Sequence, residues 1–176
     1  MKVSNKAWTQ AIQNLIDRRK KWAHADDNRK LPNPVRDYKL HMIKCGYGDS
    51  VLDVGCGNQF LKTCLPEHVE YIGMDAFPIE GFDVMPGKIE DLQGIEVDTV
   101  CAFAVLDNCQ DFQKACDAMK RAARKNIVIL TGIGIEIDQY HTHKLELSDF
   151  TKAFEGWQCT RLEEIQPKVW LLNYQR

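Results

Sequence analysis

An acidic and glycine-rich segment in the first third of the chain has the residue types and spacing of a ligand-binding turn. Asp53, Gly55 and Gly57 directly follow the apolar run Val51-Leu52 and precede a stretch of helical character. A glycine lets a ligand lie against the backbone and tolerates the positive φ that such turns can need. Asp53 can anchor the turn or receive a cationic group of the ligand.

A second acidic residue, Asp75, ends the next predicted strand. It follows the apolar run Tyr71-Ile72-Gly73-Met74 and would reach the same edge of a parallel sheet as the glycine turn. A carboxylate there can accept hydrogen bonds from both hydroxyl groups of a ribose. The dinucleotide fingerprint requires a glycine where this chain has Phe60, which argues against NAD and FAD.

The elements that must position these residues alternate between helix and strand. Apolar residues at helical spacing and a capping serine predict helices over 5–22, 34–45, 58–65 and 111–124, and a short helix capped by Ser148. Apolar and β-branched runs predict strands over 51–54, 70–74, 97–105, 126–135, 159–165 and 168–174, with a weaker one near 82–85. This alternation predicts an α/β fold whose mostly parallel sheet carries helices on both faces.

Composition and charge narrow the class of protein further. A chain of 176 residues that is 44% hydrophobic and 27% charged predicts one globular domain with a substantial core. The net charge of -2 indicates no general attraction to nucleic acid or to an acidic membrane. The apolar runs are too short to span a bilayer, and the first residues lack a secretory signal. The seven cysteines include no Cys-x-x-Cys pair, which is typical of reduced, buried thiols in a cytoplasmic protein.

Three segments of the chain resemble those of a known family. Residues 51–58, Val-Leu-Asp-Val-Gly-Cys-Gly-Asn, resemble motif I of the class I S-adenosylmethionine-dependent methyltransferases. Residues 71–75 resemble the second motif of that family, and residues 97–108 resemble its fourth-strand motif. The resemblance covers about residues 35–176. It implies a three-layer Rossmann-like fold with a mostly parallel seven-stranded sheet and an antiparallel last strand.

By this resemblance the cofactor is S-adenosylmethionine. The methionine part of the cofactor would lie along Asp53, Gly55, Cys56 and Gly57, with its carboxylate under Tyr38 and Arg36. The ribose would contact Asp75 and Ala76, and the adenine would lie beside Ile89 and Glu90. The sulfonium would lie above Phe103 and Ala104. The chain departs from the family pattern in three places, one of which is the usual Pro-Gly-Gly before the fifth strand, where residues 123–126 are Ala-Arg-Lys-Asn. Gln59 replaces the third glycine of motif I, and Lys88 stands where relatives often offer an acid to the adenine amino group.

The segment before this domain predicts a cap. Residues 1–34 combine an amphipathic helix with a polar loop over 24–34, and we expect them to cover the substrate or the cofactor. We interpret Trp8 and Trp22 as residues of helix packing rather than of substrate stacking.

The catalytic residues are predicted from the segment after the fifth strand. Methyl transfer is an in-line displacement, so a general base is needed only where the acceptor must lose a proton. His141 is our candidate base because its pKa range suits that role, and Asp107 is a candidate second polar group above the methyl. Alternatively, His141 and His143 are loop or lid-packing residues, and Asp107 caps the helix near Asp111. Two histidines with no third ligand do not make a convincing metal site, so no metal is predicted.

The nature of the methyl acceptor stays open, with a small molecule favoured. DNA amino-methyltransferases carry an (Asp/Asn/Ser)-Pro-Pro-aromatic motif after the fourth strand, and arginine methyltransferases carry a loop with paired glutamates. Residues 104–109 of this chain, Ala-Val-Leu-Asp-Asn-Cys, contain neither. An RNA or protein substrate on an open cleft is the alternative, and Lys39, Asp107, Lys144 and Glu163 fall in the chain order of a ribose-methyltransferase tetrad. A third hypothesis is a module that binds the cofactor without transferring a methyl group. No membrane partner is expected.

Overall fold

The computed structural model describes residues 2–23 and 34–176. Most of the predicted loop over 24–34 and the side chain of Trp22 lie outside the described part. Within it the α-helices are α1 (Asn5–Ala23), α2 (Tyr38–Cys45), α3 (Phe112–Ala122) and α4 (Leu147–Ala153). The strands are β1 (Ser50–Val54), β2 (Glu70–Asp75), β3 (Met85–Pro86), β4 (Val97–Phe103), β5 (Ala123–Gly132), β6 (Gln158–Gln166) and β7 (Val169–Gln175).

The strands form one seven-stranded sheet in the order β3-β2-β1-β4-β5-β7-β6. All neighbouring strands from β3 to β5 run parallel, whereas β7 runs antiparallel to β5 and to β6. This confirms the predicted mostly parallel sheet with its antiparallel strand. Because β1 leads outward to β2 on one side and lies next to β4 on the other, a crevice opens at their carboxyl ends, where open α/β sheets bind ligands.

Two apolar clusters cover the two faces of the sheet. The larger cluster contains the inward side chains of α3 and α4, including Phe112 and Phe150, whose rings meet edge to face with centroids 5.1 Å apart. The smaller cluster contains Met42 and Cys45 of α2, packed with Val128 and other strand residues. Helices therefore lie on both faces, and the layers hold the carboxyl edge of the sheet in place.

Two of the predicted helices are shorter than expected. The segment after the glycine turn forms only a 3-10 helix, Phe60–Cys64, because Gln59 before it takes a left-handed conformation with φ 56° and cannot start an α-helix. The predicted helix over 34–45 is divided into a 3-10 turn and α2, which begins at Tyr38. The side chain of Asp37 accepts a hydrogen bond from the Leu40 N–H and so caps α2.

Other boundaries also differ from the predictions. Strand β5 (Ala123–Gly132) begins directly where α3 ends, three residues before the predicted start of the strand, and it also ends three residues before the predicted end. The cap of α4 is Glu146 rather than Ser148, and its N–H donates to Oδ2 of Asp149 at 2.9 Å. Within the described residues no helix is both long enough and apolar enough to cross a membrane.

Candidate cofactor and catalytic site

The glycine turn is held against the end of β2. The backbone N–H groups of Gly55 and Cys56 both donate to the carbonyl of Met74, at 2.7 and 3.1 Å. Gly55 has φ 72°, and a Cβ on it would stand 2.5 Å from Cγ2 of Val105. Only glycine therefore fits between the two strand ends, because of the positive φ and the contact with Val105.

The Asp75 carboxylate joins the two predicted motifs. Its Oδ2 accepts the N–H of Gly57 at 2.9 Å, and its Oδ1 accepts the N–H of Phe77 at 2.9 Å. The residue is buried, yet it forms part of the wall of a cavity at the carboxyl edge of the sheet. The turn and the acid thus meet at one place, although they lie on different strands.

Asp53 is a buried carboxyl group behind this turn. Its side chain is 4% exposed, and its Oδ2 accepts the hydroxyl of Tyr71 at 2.7 Å. Burial raises the pKa of Asp53 to about 7, the Tyr71 hydrogen bond opposes that shift, and the nearby charge of Asp75 adds to it. Burial also raises the pKa of Tyr71 far above its ordinary value, so that hydroxyl stays a donor.

The cavity beside Asp75 has a volume of about 80 Å³. Six predicted cofactor residues form part of its wall: Gly55, Asp75, Ala76, Ile89, Glu90 and Ala104. The others, namely Asp53, Cys56, Gly57, Phe103 and Tyr38, do not. The structure therefore brings the predicted ribose and adenine residues together around one space.

The remaining aromatic residues form a group of their own. The Tyr38 ring lies 4.7 Å from that of Phe103 and 5.4 Å from that of Phe60, measured between centroids. Ala104 follows Phe103 with a φ of 55°, and its N–H donates to the carbonyl of Leu130. This left-handed residue turns the chain sharply where β4 ends and exposes the Ala104 backbone beside the cavity.

Two charged residues at the predicted adenine position already have partners in the protein. Oε1 of Glu90 accepts the backbone N–H groups of Gln110 and Asp111, at 2.5 and 2.9 Å. Nζ of Lys88 donates to Oε1 of Gln110 at 3.0 Å and stands 4.4 Å above the ring of Trp8. The Glu90 carboxylate therefore helps to hold the segment that leads into α3.

Helix α1 supplies cavity residues that the sequence did not assign to a site. Its apolar face closes one side of the cavity with Trp8, Ile12, Leu15 and Ile16. The sequence predicted a cap from residues 1–34, and the helical spacing of these apolar residues predicts a buried face, but neither identified individual wall residues. Val105, Asn108 and Cys109, after β4, were also missed as wall residues.

The structure brings the two candidate catalytic residues close to each other. Nε2 of His141 lies 3.7 Å from Oδ2 of Asp107, and Nδ1 of His141 lies 2.8 Å from Oδ1 of Asp138. Asp107 is buried, which raises the pKa of its carboxyl group, while the neighbouring His141 lowers it. Neither His141 nor Asp107 belongs to the wall of the cavity.

The alternative roles of these residues can be compared with their contacts. Asp107 does not cap α3, because the side chain of Asp111 accepts the Lys114 N–H and does so itself. His143 is a packing residue: it is buried, its Nε2 lies 2.9 Å from the Cys109 carbonyl, and burial lowers its pKa. Among residues 2–23 and 34–176 no group of three or more His, Cys, Asp or Glu side chains could hold a metal ion.

Three of the four residues of the ribose-methyltransferase alternative have separate partners. Lys144 bonds to Glu136, Glu163 bonds to Lys44 and Arg161, and Asp107 pairs with His141. Glu163 lies on β6, the edge strand of the sheet. The structure thus offers this tetrad no common site.

Comparison with known proteins agrees with this architecture. No family model and no curated protein matches the chain. Among solved structures, an S-adenosylmethionine-dependent methyltransferase from Aquifex aeolicus aligns with a TM-score of 0.67 at 17% identity, covering 89% of this chain and 97% of its own. The 1,6-didemethyltoxoflavin-N1-methyltransferase of Burkholderia thailandensis aligns with a TM-score of 0.68 at 9% identity, covering 96% and 86%.

A third similar structure is the magnesium protoporphyrin IX methyltransferase of Synechocystis, with a TM-score of 0.61 at 15% identity, covering 81% of this chain and 77% of its own. At such low identity the agreement concerns the course of the backbone. Together with the strand order and the glycine turn, it shows that the chain has the fold of the class I S-adenosylmethionine-dependent methyltransferases.

Proposed function

We propose that this protein is an S-adenosylmethionine-dependent methyltransferase. The observation that carries the proposal is the junction between Asp75 and the glycine turn, where one carboxylate binds the Gly57 N–H and also faces a cavity. An acid at that position, beside a turn that allows close backbone contact, would suit the ribose of the cofactor. The similar solved structures include methyltransferases of this cofactor class.

The residues in the wall of the cavity indicate which part of the cofactor each of them would contact. Asp75 and Ala76 would hold the ribose, and Ile89 would give the adenine an apolar surface. Gly55 and Ala104 would bring backbone close to the sulfonium end. When bound, S-adenosylmethionine supplies an electrophilic methyl group; the protein supplies position, orientation and, where required, a base.

We assign the role of general base to His141. Asp138 lies against Nδ1 and would keep the proton on that nitrogen, leaving Nε2 to accept a proton from the methyl acceptor. Asp107, 3.7 Å from Nε2, would stabilise the imidazolium that forms. Asp138 is a positioning residue in this proposal, because it acts through His141.

A small molecule is the acceptor that we favour. The net charge of -2 offers no general attraction to RNA. Two similar structures are named for small-molecule substrates, a toxoflavin precursor and a magnesium porphyrin.

The first test is a calorimetric titration with S-adenosylmethionine and S-adenosylhomocysteine. We expect the wild-type protein to bind both, and Asp75→Ala to weaken binding at least about tenfold through loss of a charge-assisted hydrogen bond. Asp91→Ala is the matched control, since Asp91 is an exposed acid close to the cavity residues Ile89 and Glu90 but outside the wall. No binding by the wild type would overturn the proposal.

The second test concerns transfer. Radiolabelled S-adenosylmethionine is incubated with metabolite pools and, separately, with RNA and protein pools, and the labelled product is isolated. With the acceptor found, His141→Asn should reduce transfer by about 10²-fold or more and leave cofactor binding unchanged. The exposed His68→Asn serves as the control. Labelling of RNA or protein alone would contradict the small-molecule assignment.

A further inference from the structure

The cavity is too small for the ligand that its wall is built to hold. Its volume is about 80 Å³, whereas pockets that hold ligands of drug size have volumes from about 300 Å³ upward. One side of this space is formed by α1, and Trp8 is the largest side chain that α1 places there. Trp8 is only 6% exposed, so it lies within the pocket rather than at its rim.

The indole of Trp8 makes contacts of the kind that a purine would make. Its Nε1–H donates to the carbonyl of Asn108 at 2.9 Å, and its ring centroid lies 5.7 Å from that of Phe77. Nζ of Lys88 stands 4.4 Å from the ring. A flat bicyclic ring with one N–H donor, near an aromatic ring and a cation, resembles an adenine in shape and in bonding.

The position of the ring also matches the adenine end of the site. Phe77 follows Asp75 and Ala76, which we assign to the ribose, and Lys88 directly precedes Ile89 and Glu90, which we assign to the adenine. The ring of Trp8 therefore lies close to residues next to both assignments, Phe77 after the ribose residues and Lys88 before the adenine residues.

Outside the cavity, a few polar contacts hold α1. The Val3 N–H donates to the carbonyl of Gln110 at 2.8 Å just before the helix. Towards its other end, Nδ2 of Asn14 donates to the carbonyl of Gln139 at 2.8 Å, and Arg18 lies over the ring of Tyr140 at 4.9 Å. The last two contacts join α1 to the segment that carries His141. Exposed polar contacts contribute little each, so α1 is held mainly by Trp8 and its other buried apolar residues.

We propose that Trp8 occupies the place of the cofactor's adenine ring, and that α1 is an intramolecular competitor which must move before the cofactor binds. This inference rests on the proposed function. The apparent dissociation constant then equals the intrinsic one divided by the fraction of molecules in which α1 has left the pocket. Because α1 also contacts the segment around His141, its movement opens the cofactor pocket and the catalytic segment together.

The test compares the affinity for S-adenosylhomocysteine of the full-length wild type, Trp8→Ala and Trp8→Phe by calorimetry. If Trp8 competes with adenine, Trp8→Ala binds more tightly, by about tenfold when the closed form exceeds the open one by that ratio. Trp8→Phe falls between the two. If Trp8 is instead a wall against which adenine stacks, Trp8→Ala binds equally or less tightly, and that result overturns the inference.

A pair of neighbouring residues on α1 provides a second set of variants that leaves the pocket residues unchanged. Asn14→Ala removes the contact with Gln139 and should also tighten binding, by less than Trp8→Ala does. Gln13→Ala is the matched control, because Nε2 of Gln13 bonds only within the helix, to Asp17. No change in Asn14→Ala and Trp8→Ala alike overturns the inference even if the wild type binds well.

A spectroscopic measurement follows Trp8 itself. In protein labelled with 5-fluorotryptophan, the ¹⁹F signal missing from Trp8→Phe identifies Trp8, and S-adenosylhomocysteine should shift it towards the position of an exposed indole. Wild-type binding with an unchanged Trp8 signal overturns this inference and leaves the proposed function intact. Absence of binding by the wild type and by every Trp8 variant overturns both.

Discussion

At the scale of single residues, Asp53 is a carboxylic acid that the fold keeps away from water. Its pKa of about 7 in the folded protein exceeds the ordinary value of 3.8, chiefly because burial disfavours the charged form. Between these two values the folded protein binds a proton that the unfolded chain releases. The free energy of unfolding therefore falls as the pH rises from about 4 to about 7.

This behaviour gives a prediction for Asp53→Asn. The amide removes the charge and can still accept the Tyr71 hydroxyl, so the variant should lose the decline in stability between pH 4 and pH 7. At pH 8 it should be more stable than the wild type by a few kcal/mol, at roughly 1.4 kcal/mol per unit of pKa shift. Urea unfolding at pH 4, 6 and 8 measures the effect. Equal slopes with pH in both proteins would contradict the prediction.

The residues of the glycine turn could be predicted from the sequence, whereas the role of Trp8 could not. Gly55 and Asp75 act through local geometry, at strand ends that apolar runs and acidic residues mark in the sequence. Trp8 acts through a partner 100 positions away, the Asn108 carbonyl. Its helical spacing shows that the side chain is buried and gives no information on which surface buries it.

At the scale of elements, the junction of β1, β2 and β4 requires that Gly55 has no side chain. Gly55→Ala would combine a left-handed backbone with a Cβ 2.5 Å from Val105, and we expect it to destabilise the protein by about 3 kcal/mol. Gly94→Ala is the matched control: its φ is 70°, but a Cβ there meets nothing within 4 Å. The control substitution should lower the free energy of unfolding by only about 1 kcal/mol. Thermal unfolding of both variants measures the difference, and equal losses would mean that the contact with Val105 is easily relieved.

The contact between α3 and α4 gives a second prediction at this scale. Phe150 is fully buried, and its ring meets that of Phe112 edge to face. Phe150→Ala should lower the free energy of unfolding by about 3–5 kcal/mol, since it removes apolar contacts and leaves a cavity. Phe82→Ala, at a position that is 42% exposed, should change it by less than about 1 kcal/mol. Urea unfolding compares the two, and a small loss in Phe150→Ala would show that the helices can close the gap.

Two of the elements whose bounds were mispredicted share a physical cause. The helix after the glycine turn is shortened by the left-handed Gln59, whose Nε2 donates to the Asp83 carbonyl at 2.5 Å. Strand β5 extends back to Ala123 because that residue pairs with Val97 of β4. Both outcomes are set by partners far along the chain, which local propensity does not include. The central strands were predicted well because they are buried and continuously apolar.

At the scale of the whole molecule, the topology followed from the alternation of elements and from the resemblance of three motifs. The sequence predicted that residues 1–34 form a cap but not where α1 docks, since its hydrogen bonds with Asn108 and Gln139 span 100 and 125 positions. The reaction rates of the seven cysteines can distinguish local movement of α1 from unfolding of the whole domain. Their predicted burial holds for five of them, Cys45, Cys56, Cys101, Cys109 and Cys116, whereas Cys64 is partly buried and Cys159 is exposed.

The reaction of these thiols with iodoacetamide should therefore occur in a defined order. Cys159 should react first, because its thiol is exposed and the thiolate is the reactive form. Cys64 should react next, because it is partly buried and burial raises the pKa of its thiol. Among the buried thiols, Cys109 should react before Cys101, since Cys109 lines the cavity under α1 and Cys101 lies on the central strand β4. Movement of α1 away from the cavity exposes Cys109, whereas only unfolding of the sheet exposes Cys101. Peptide mass spectrometry after timed labelling measures each rate, and Trp8→Ala should accelerate Cys109 without affecting Cys101. Equal rates at the two positions would mean that α1 and the sheet open as one unit.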